Sequence, residues 1–153
     1  MRIEKGNRFI TTRVQQETTI NFDLCINLLK IFQEDLELNK QGRTLAVPFP
    51  TFHNMAWNTV AGIIVAKYQK TAEINKVYVL ISQANRVIEH LNNMKPGMIG
   101  SALNQASQIR IQILKGFISW IKEFLEPEIR KSLQLVSELG GVLFKTENIE
   151  GEL

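Results

Sequence analysis

One cysteine, four prolines and nine glycines in 153 residues exclude several architectures at once. A lone thiol builds no disulfide framework, and Cys25 has no neighbouring cysteine or histidine with which to form a zinc set. Gly and Pro at this level exclude collagen-like and low-complexity chains. The longest apolar run, Val60 to Ala66, is seven residues, whereas a membrane-spanning helix needs ~20. No hydrophobic leader follows the basic N-terminus and no Asn-x-Ser/Thr acceptor occurs, so nothing supports secretion. Cytoplasmic residence is the expectation.

Charge of one sign is also scarce. Eighteen Lys and Arg against 15 Asp and Glu give a formal +3, far from the dense basic face of a nucleic-acid binder. The distribution is uneven: Arg2, Lys5, Arg8 and Arg13 face only Glu4 at the start, and Glu147, Glu150 and Glu152 crowd the end. Solvated tails account for both. If the domain hangs from a membrane by its N-terminus, the same four basic residues would lie at the inner, anionic face and place the domain in the cytoplasm.

What the chain does contain is helical period. Val14, Thr18, Asn21, Cys25, Leu28, Phe32 and Leu36 form one stripe in steps of three and four. They predict a first helix over 12–39, capped by Thr11 or Thr12 and stopped at Gln41-Gly42. Pro48 and Pro50 hold Phe49 extended between them, and the apolar Leu45, Val47, Phe49 and Phe52 suggest a loop folded over the open end of a core. Thr51 is positioned to cap a second helix, about 52–66, with Trp57, Val60 and Ile64 on one side. The clearest period runs through Ile74, Val77, Ile81, Ala84, Ile88 and Leu91, a third helix over 71–93 ended by Lys95-Pro96-Gly97.

A fourth helix from about Ser101 carries Leu103, Ala106, Arg110, Ile113, Phe117, Trp120 and Phe124 on one face. Ile111, Leu114, Ile118, Ile121 and Leu125 fill the adjacent face. Pro127 interrupts this pattern, which resumes through Ile129, Leu133, Val136 and Leu139 to Gly140-Gly141, so the element is a kinked helix or two helices meeting at Glu126-Pro127. No strand pattern and no internal repeat is visible. The expected fold is all-α: a single domain over 1–153, an up-and-down antiparallel bundle of four principal helices, with flexible ends at about 1–8 and 146–153.

Pro50-Thr51 followed by Ala56-Trp57, with Gly62, Tyr78 and Asn85 beyond and Glu17 and Asn21 before, resembles a layout of uncharacterised helical soluble domains in small prokaryotic proteins, many of them membrane-anchored near the N-terminus. The resemblance covers about the first ninety residues. It implies a helical fold and no chemistry.

No catalytic signature is present. There are no Glu-x-x-His pairs for a di-iron bundle, no Gly-x-Ser-x-Gly, and no phosphate-cradling glycine loop, since Gly97 and Gly100 stand alone. No cofactor or metal set is indicated. His53 and His90 read as surface residues, and Arg86 and His90 lie too close in sequence for the paired motif of helical HEPN-type ribonucleases. The acidic groups Glu34-Asp35-Glu37 and Glu123-Glu126-Glu128 lie near Lys and Arg at helical spacing, as Lys30 with Glu34 and Glu126 with Arg130, which predicts solvated faces.

Polar residues on otherwise apolar stripes carry more information. Glu17, Asn21, Asn85 and Tyr78 must bond to one another or to water if they are internal, because an unpaired buried amide costs on the order of 1–3 kcal/mol. They predict a register-fixing polar layer. A pocket lined by Asn21, Trp57, Tyr78 and Asn85, serving a small-molecule sensor or an enzyme, is the rival expectation. The two apolar faces of the fourth helix exceed what one antiparallel neighbour can cover, so either the helix is central or part of its surface is buried in an oligomer. The leading expectation is a non-enzymatic module for protein–protein interaction or self-association, with Ile111, Leu114, Ile118, Ile121 and Leu125 as its interface. Nucleic-acid binding through the basic N-terminus ranks last.

Overall fold

A computed structural model describes residues 2–45, 48–65, 71–94 and 101–138. Four α-helices form an up-and-down antiparallel bundle: α1 (Arg2–Lys40), α2 (Met55–Val65), α3 (Thr71–Asn93) and α4 (Ser101–Trp120). A π-helical turn, Ile121–Leu125, follows α4 and leads into further α-helix over 126–138. No strand occurs among the described residues. No helix among them is long and apolar enough to cross a membrane. Val47, the 95–97 stop, Gly100, and the region from Leu139 through Gly140-Gly141 to the acidic end and the expected loose segment 146–153 lie outside the described residues. So do the side chains of Arg2, Lys5, Arg8, Val60, Ile64, Leu103 and Ala106.

The first helix is longer than its apolar stripe. It begins at Arg2 and not at the Thr11–Thr12 cap, taking in most of the segment expected to be loose at the start, because nothing between them stops a helix. A single Gly6 costs only about 1 kcal/mol and no proline intervenes. Its end is as expected: Gly42 takes φ +74°, Arg43 N–H donates to the Leu38 carbonyl (2.8 Å) and Gly42 N–H to that of Asn39 (3.0 Å). This is the Schellman pattern, which satisfies two of the helix's orphan carbonyls.

The chain between α1 and α2 packs on the core as expected, with Phe49 and Phe52 buried and Leu45 against it at the top of the bundle, but its path goes further. It runs back down the groove between α1 and α3, reaching Asn92 at Phe49, Asn85 at Phe52 and Asn21 at His53 before α2 begins at Met55. The second leg of the bundle is therefore half extended strap (described over 43–45 and 48–54) and half helix, and α2 starts three residues later than expected. Asn85 and Asn92 are seven helical residues apart, a rise of about 10.5 Å, and Phe49 to Phe52 is three extended residues, about 10 Å. The lengths match. Phe49 and Phe52 both face inward, which strict strand alternation forbids and the three-residue repeat of a polyproline-type segment, favoured here by Pro48 and Pro50, allows.

The core is continuous. Phe32 meets Phe49 edge-on at 4.8 Å and Phe117 at 5.3 Å between ring centroids, and Trp57 stacks on Tyr78 at 5.2 Å. Leu28, Ile74, Ile81, Ile88, Leu114, Ile121, Leu125 and Ile129 are fully buried around them. Leu114, Ile118, Ile121 and Leu125, expected at an interface, are thus covered by this chain's own helices, and Ile111 is half-buried. The helix has more than one neighbour, which is why two of its faces are apolar.

Pro127 breaks nothing. Its missing N–H and its ring would disturb a regular turn, and the helix accommodates it by widening just before it: Glu126 N–H bonds back five residues to Ile121 O. The helix continues to 138, so the choice between a kink and two helices resolves as one helix with a π-turn.

Candidate functional site

Three asparagines fasten the strap by the same device. Each carboxamide accepts from the N–H and donates to the carbonyl of a single strap residue. Asn92 brackets Phe49 (2.7 and 2.9 Å), Asn85 brackets Phe52 (2.7 and 3.1 Å), and Asn21 brackets His53 (2.8 and 2.8 Å). An extended segment in a helical bundle has no ladder partner for its backbone, and side-chain amides carry both the donor and the acceptor it lacks.

Below the brackets sits Glu17. Its carboxylate accepts from the N–H groups of Ala56 (2.8 Å) and Trp57 (3.2 Å), the first turn of α2, and from the Tyr78 hydroxyl (2.7 Å). A carboxylate at a helix N-terminus satisfies orphan donors and faces the positive end of the dipole. α2 is therefore capped from α1 and not by Thr51. Burial, and then the adjacent Glu17, raise the Tyr78 pKa well above the ordinary phenol range. Trp57 Nε1 donates to Asn75 Oδ1 at 3.3 Å.

The candidate pocket residues Asn21, Trp57, Tyr78 and Asn85 are thus brought to one side of the bundle. Their polar atoms bond to the strap, to Glu17 and to Asn75, and the two rings stack on each other. They form a fastening between elements. The expectation was that these groups bond to one another or to water: Tyr78 does bond to Glu17, and the remaining bonds of Asn21, Asn85 and Glu17 run to backbone.

A second buried cluster closes the top of the bundle. Asp35, expected on a solvated face, is fully buried, and Arg110 is 8% exposed. Arg110 donates to Asp35 Oδ2 from Nε (3.1 Å) and Nη2 (2.7 Å), and its Nη1 donates to the Leu91 carbonyl (2.8 Å). Asp35 Oδ1 accepts from Leu45 N–H (3.0 Å) and Asn39 Nδ2 (2.9 Å). The guanidinium also lies over the Phe49 ring, 5.6 Å from its centroid. One ion pair therefore ties α1, the strap, α3 and α4 together. The legible signal was the three-four rhythm continued from Leu28 and Phe32 to Asp35 and Asn39, opposite a cation on α4's apolar face. The helical pair Glu126–Arg130 is present as expected and, being at the surface, contributes little.

The groups with chemical reactivity are few. Cys25 is buried and its thiol is pushed up to about 12, first by burial and then by the Glu126 charge, the reverse of what a nucleophile needs. His53, Arg86 and His90 are exposed, and no cluster of three metal-ligating side chains occurs among the described residues.

The side between α3 and α4 is open. Gln83 and Val87 on α3 and Gln112, Ile113, Gly116, Phe117 and Trp120 on α4 line a groove of about 390 Å³. A methyl group added at Gly116 would meet no atom within 4 Å. Ile109 on α4 and Phe124 on the π-turn that follows it are apolar and each 54% exposed. Periodicity finds two apolar faces on the fourth helix. The one named as an interface is mostly covered within the chain, as the alternative of a central helix requires, and Ile113, Phe117 and Trp120 of the other border this groove. No family model, curated protein or solved structure matches the chain.

Proposed function

We propose that the protein is a non-enzymatic helical module that works by protein–protein contact, in the first place by self-association through the α3–α4 groove. The observation that carries this is the groove itself: an apolar channel whose lining includes no charged residue. A second copy meets no like-charge repulsion there, and the carboxamides of Gln83 and Gln112 each offer a donor and an acceptor to a symmetric partner. Gly116 allows close approach of a facing helix. The rival sensor or enzyme has less support, since the polar groups of the candidate pocket already bond within the chain.

Size-exclusion chromatography with light scattering tests it. A dimer that populates with rising concentration and is lost in Ile109→Lys/Phe124→Lys, both exposed positions, is expected. A strict monomer at millimolar concentration overturns self-association. Binding of nucleic acid through Arg2, Lys5, Arg8 and Arg13 would instead show affinity falling steeply with salt.

A further inference from the structure

The strap is held as a bound peptide is held. Among the described residues of 44–53, the backbone bonds to side chains of other elements: Leu45 to Asp35, Phe49 to Asn92, Phe52 to Asn85 and His53 to Asn21. Two aromatic side chains three residues apart enter the core on one side, Phe49 against Phe32 and under Arg110, and Phe52 at 3% exposure. Backbone read by fixed carboxamides, with specificity from two apolar sockets, is how grooves recognise extended segments. The chain preceding it turns at Gly42, with φ +74°. The packing of α1 on α4 and most of the Asp35–Arg110 cluster, including the bond to Leu91, do not involve the strap.

We propose that the groove between α1 and α3 is a peptide-binding site, occupied in this structure by the chain's own strap, whose ligand class is an extended segment with two large aromatic residues three apart and proline beside the first. Asn21, Asn85 and Asn92 read the ligand backbone, and the strap is a competitor in cis that an external segment of the same chemistry displaces. The spacing of Asn85 and Asn92 sets the spacing of the two aromatics, so the site measures the ligand as well as holding it. This site lies on the opposite flank of α3 from the α3–α4 groove and stands apart from the self-association proposed above.

The full chain carrying Phe49→Ala/Phe52→Ala has a weakened cis competitor and is titrated with the acetylated, amidated hexapeptide Pro-Phe-Pro-Thr-Phe-His. The expected result is saturable one-to-one binding that shifts the side-chain amide resonances of Asn85 and Asn92. A peptide with both Phe replaced by Ala should bind at least tenfold more weakly. Absence of saturable binding, or equal binding of the two peptides, overturns the proposal. Should the double variant not fold, hydrogen exchange on the unmodified chain decides. Amides of Phe49, Phe52 and His53 exchanging through an opening that leaves Leu28 and Ile88 protected supports a separable strap; exchange of all five only on global unfolding overturns it.

Discussion

The two flanks of α3 use similar residues to opposite ends. On one, Asn85 and Asn92 bond to the strap, and Tyr78, buried, bonds to Glu17 and stacks on Trp57. On the other, Gln83 and Val87 border an open groove beside Gly116 and Trp120. A carboxamide beside apolar neighbours is not by itself a sign of either a core or a surface. What decides is whether a segment with unpaired backbone lies within its reach: an extended chain needs donors and acceptors, whereas a facing helix has already satisfied its own.

The largest effect is expected where both flanks are tied at their top. Arg110→Met leaves Asp35 charged and buried without its partner, and should cost about 3–5 kcal/mol in denaturant unfolding. In Asp35→Leu/Arg110→Met no uncompensated charge remains, so most of that loss should be recovered. A double variant as unstable as the single one would show that the bonds to Leu91 and Leu45, and not the charge, set the cost.

The covered flank can be graded by depth. Asn21 is 1% exposed, Asn85 half-buried and Asn92 exposed, yet each makes the same two bonds. Substitution by Leu strands one N–H and one carbonyl, at roughly 1–3 kcal/mol where water cannot replace the amide and less where it can. Thermal unfolding should therefore rank Asn21→Leu as most harmful and Asn92→Leu as least. An equal loss at all three would mean that geometry, and not desolvation, governs the brackets.

On the open flank the sign should reverse. Gly116→Ala meets no neighbour and gains helix propensity, so it should stabilise the monomer by up to about 1 kcal/mol, while weakening any self-association that needs close approach. Destabilisation would mean that the groove is narrower in solution.

The smallest effect at neutral pH concerns the covered core. Cys25 has its folded pKa raised to about 12 from 9.0, with burial the first cause. A raised pKa favours folding fully at low pH and loses that contribution as the unfolded thiol ionises, so stability should fall as pH rises from about 9 toward 12. Tyr78, raised in the same direction, adds to the fall above about 10. Cys25→Ala should change little at pH 7 beyond its packing cost and should flatten the first part of the alkaline decline. A thiol reagent should label Cys25 only at the rate of unfolding.

Periodicity made α3 legible to the residue, because its stripe is uninterrupted and its ends carry ordinary stop signals. Gly42 likewise marked the end of α1, since a left-handed turn there favours glycine. The strap was legible as extended but not in its path, because brackets join residues distant in the chain, Asn92 to Phe49 and Asn21 to His53, and no local rule links them. Asp35 was misplaced for a related reason. A charged residue next to Glu34 and Glu37 reads as solvated until its partner, 75 positions away, is brought beside it.

The π-turn at Ile121–Leu125 has one consequence for how this chain could vary. A turn closed over five residues holds one residue more than a regular turn, so everything from 126 to 138 faces the core in the register of a chain one residue shorter. Ile129, Ser132 and Val136 stay buried in that register. Loss of one residue among the exposed Lys122, Glu123 and Phe124, with Pro127 exchanged for a residue that carries an N–H, would restore an ordinary helix and leave the lower core in place. A deletion inside a helix normally rotates everything beyond it out of phase. Here the molecule holds a spare residue, and this is a point where its length can change without changing its shape.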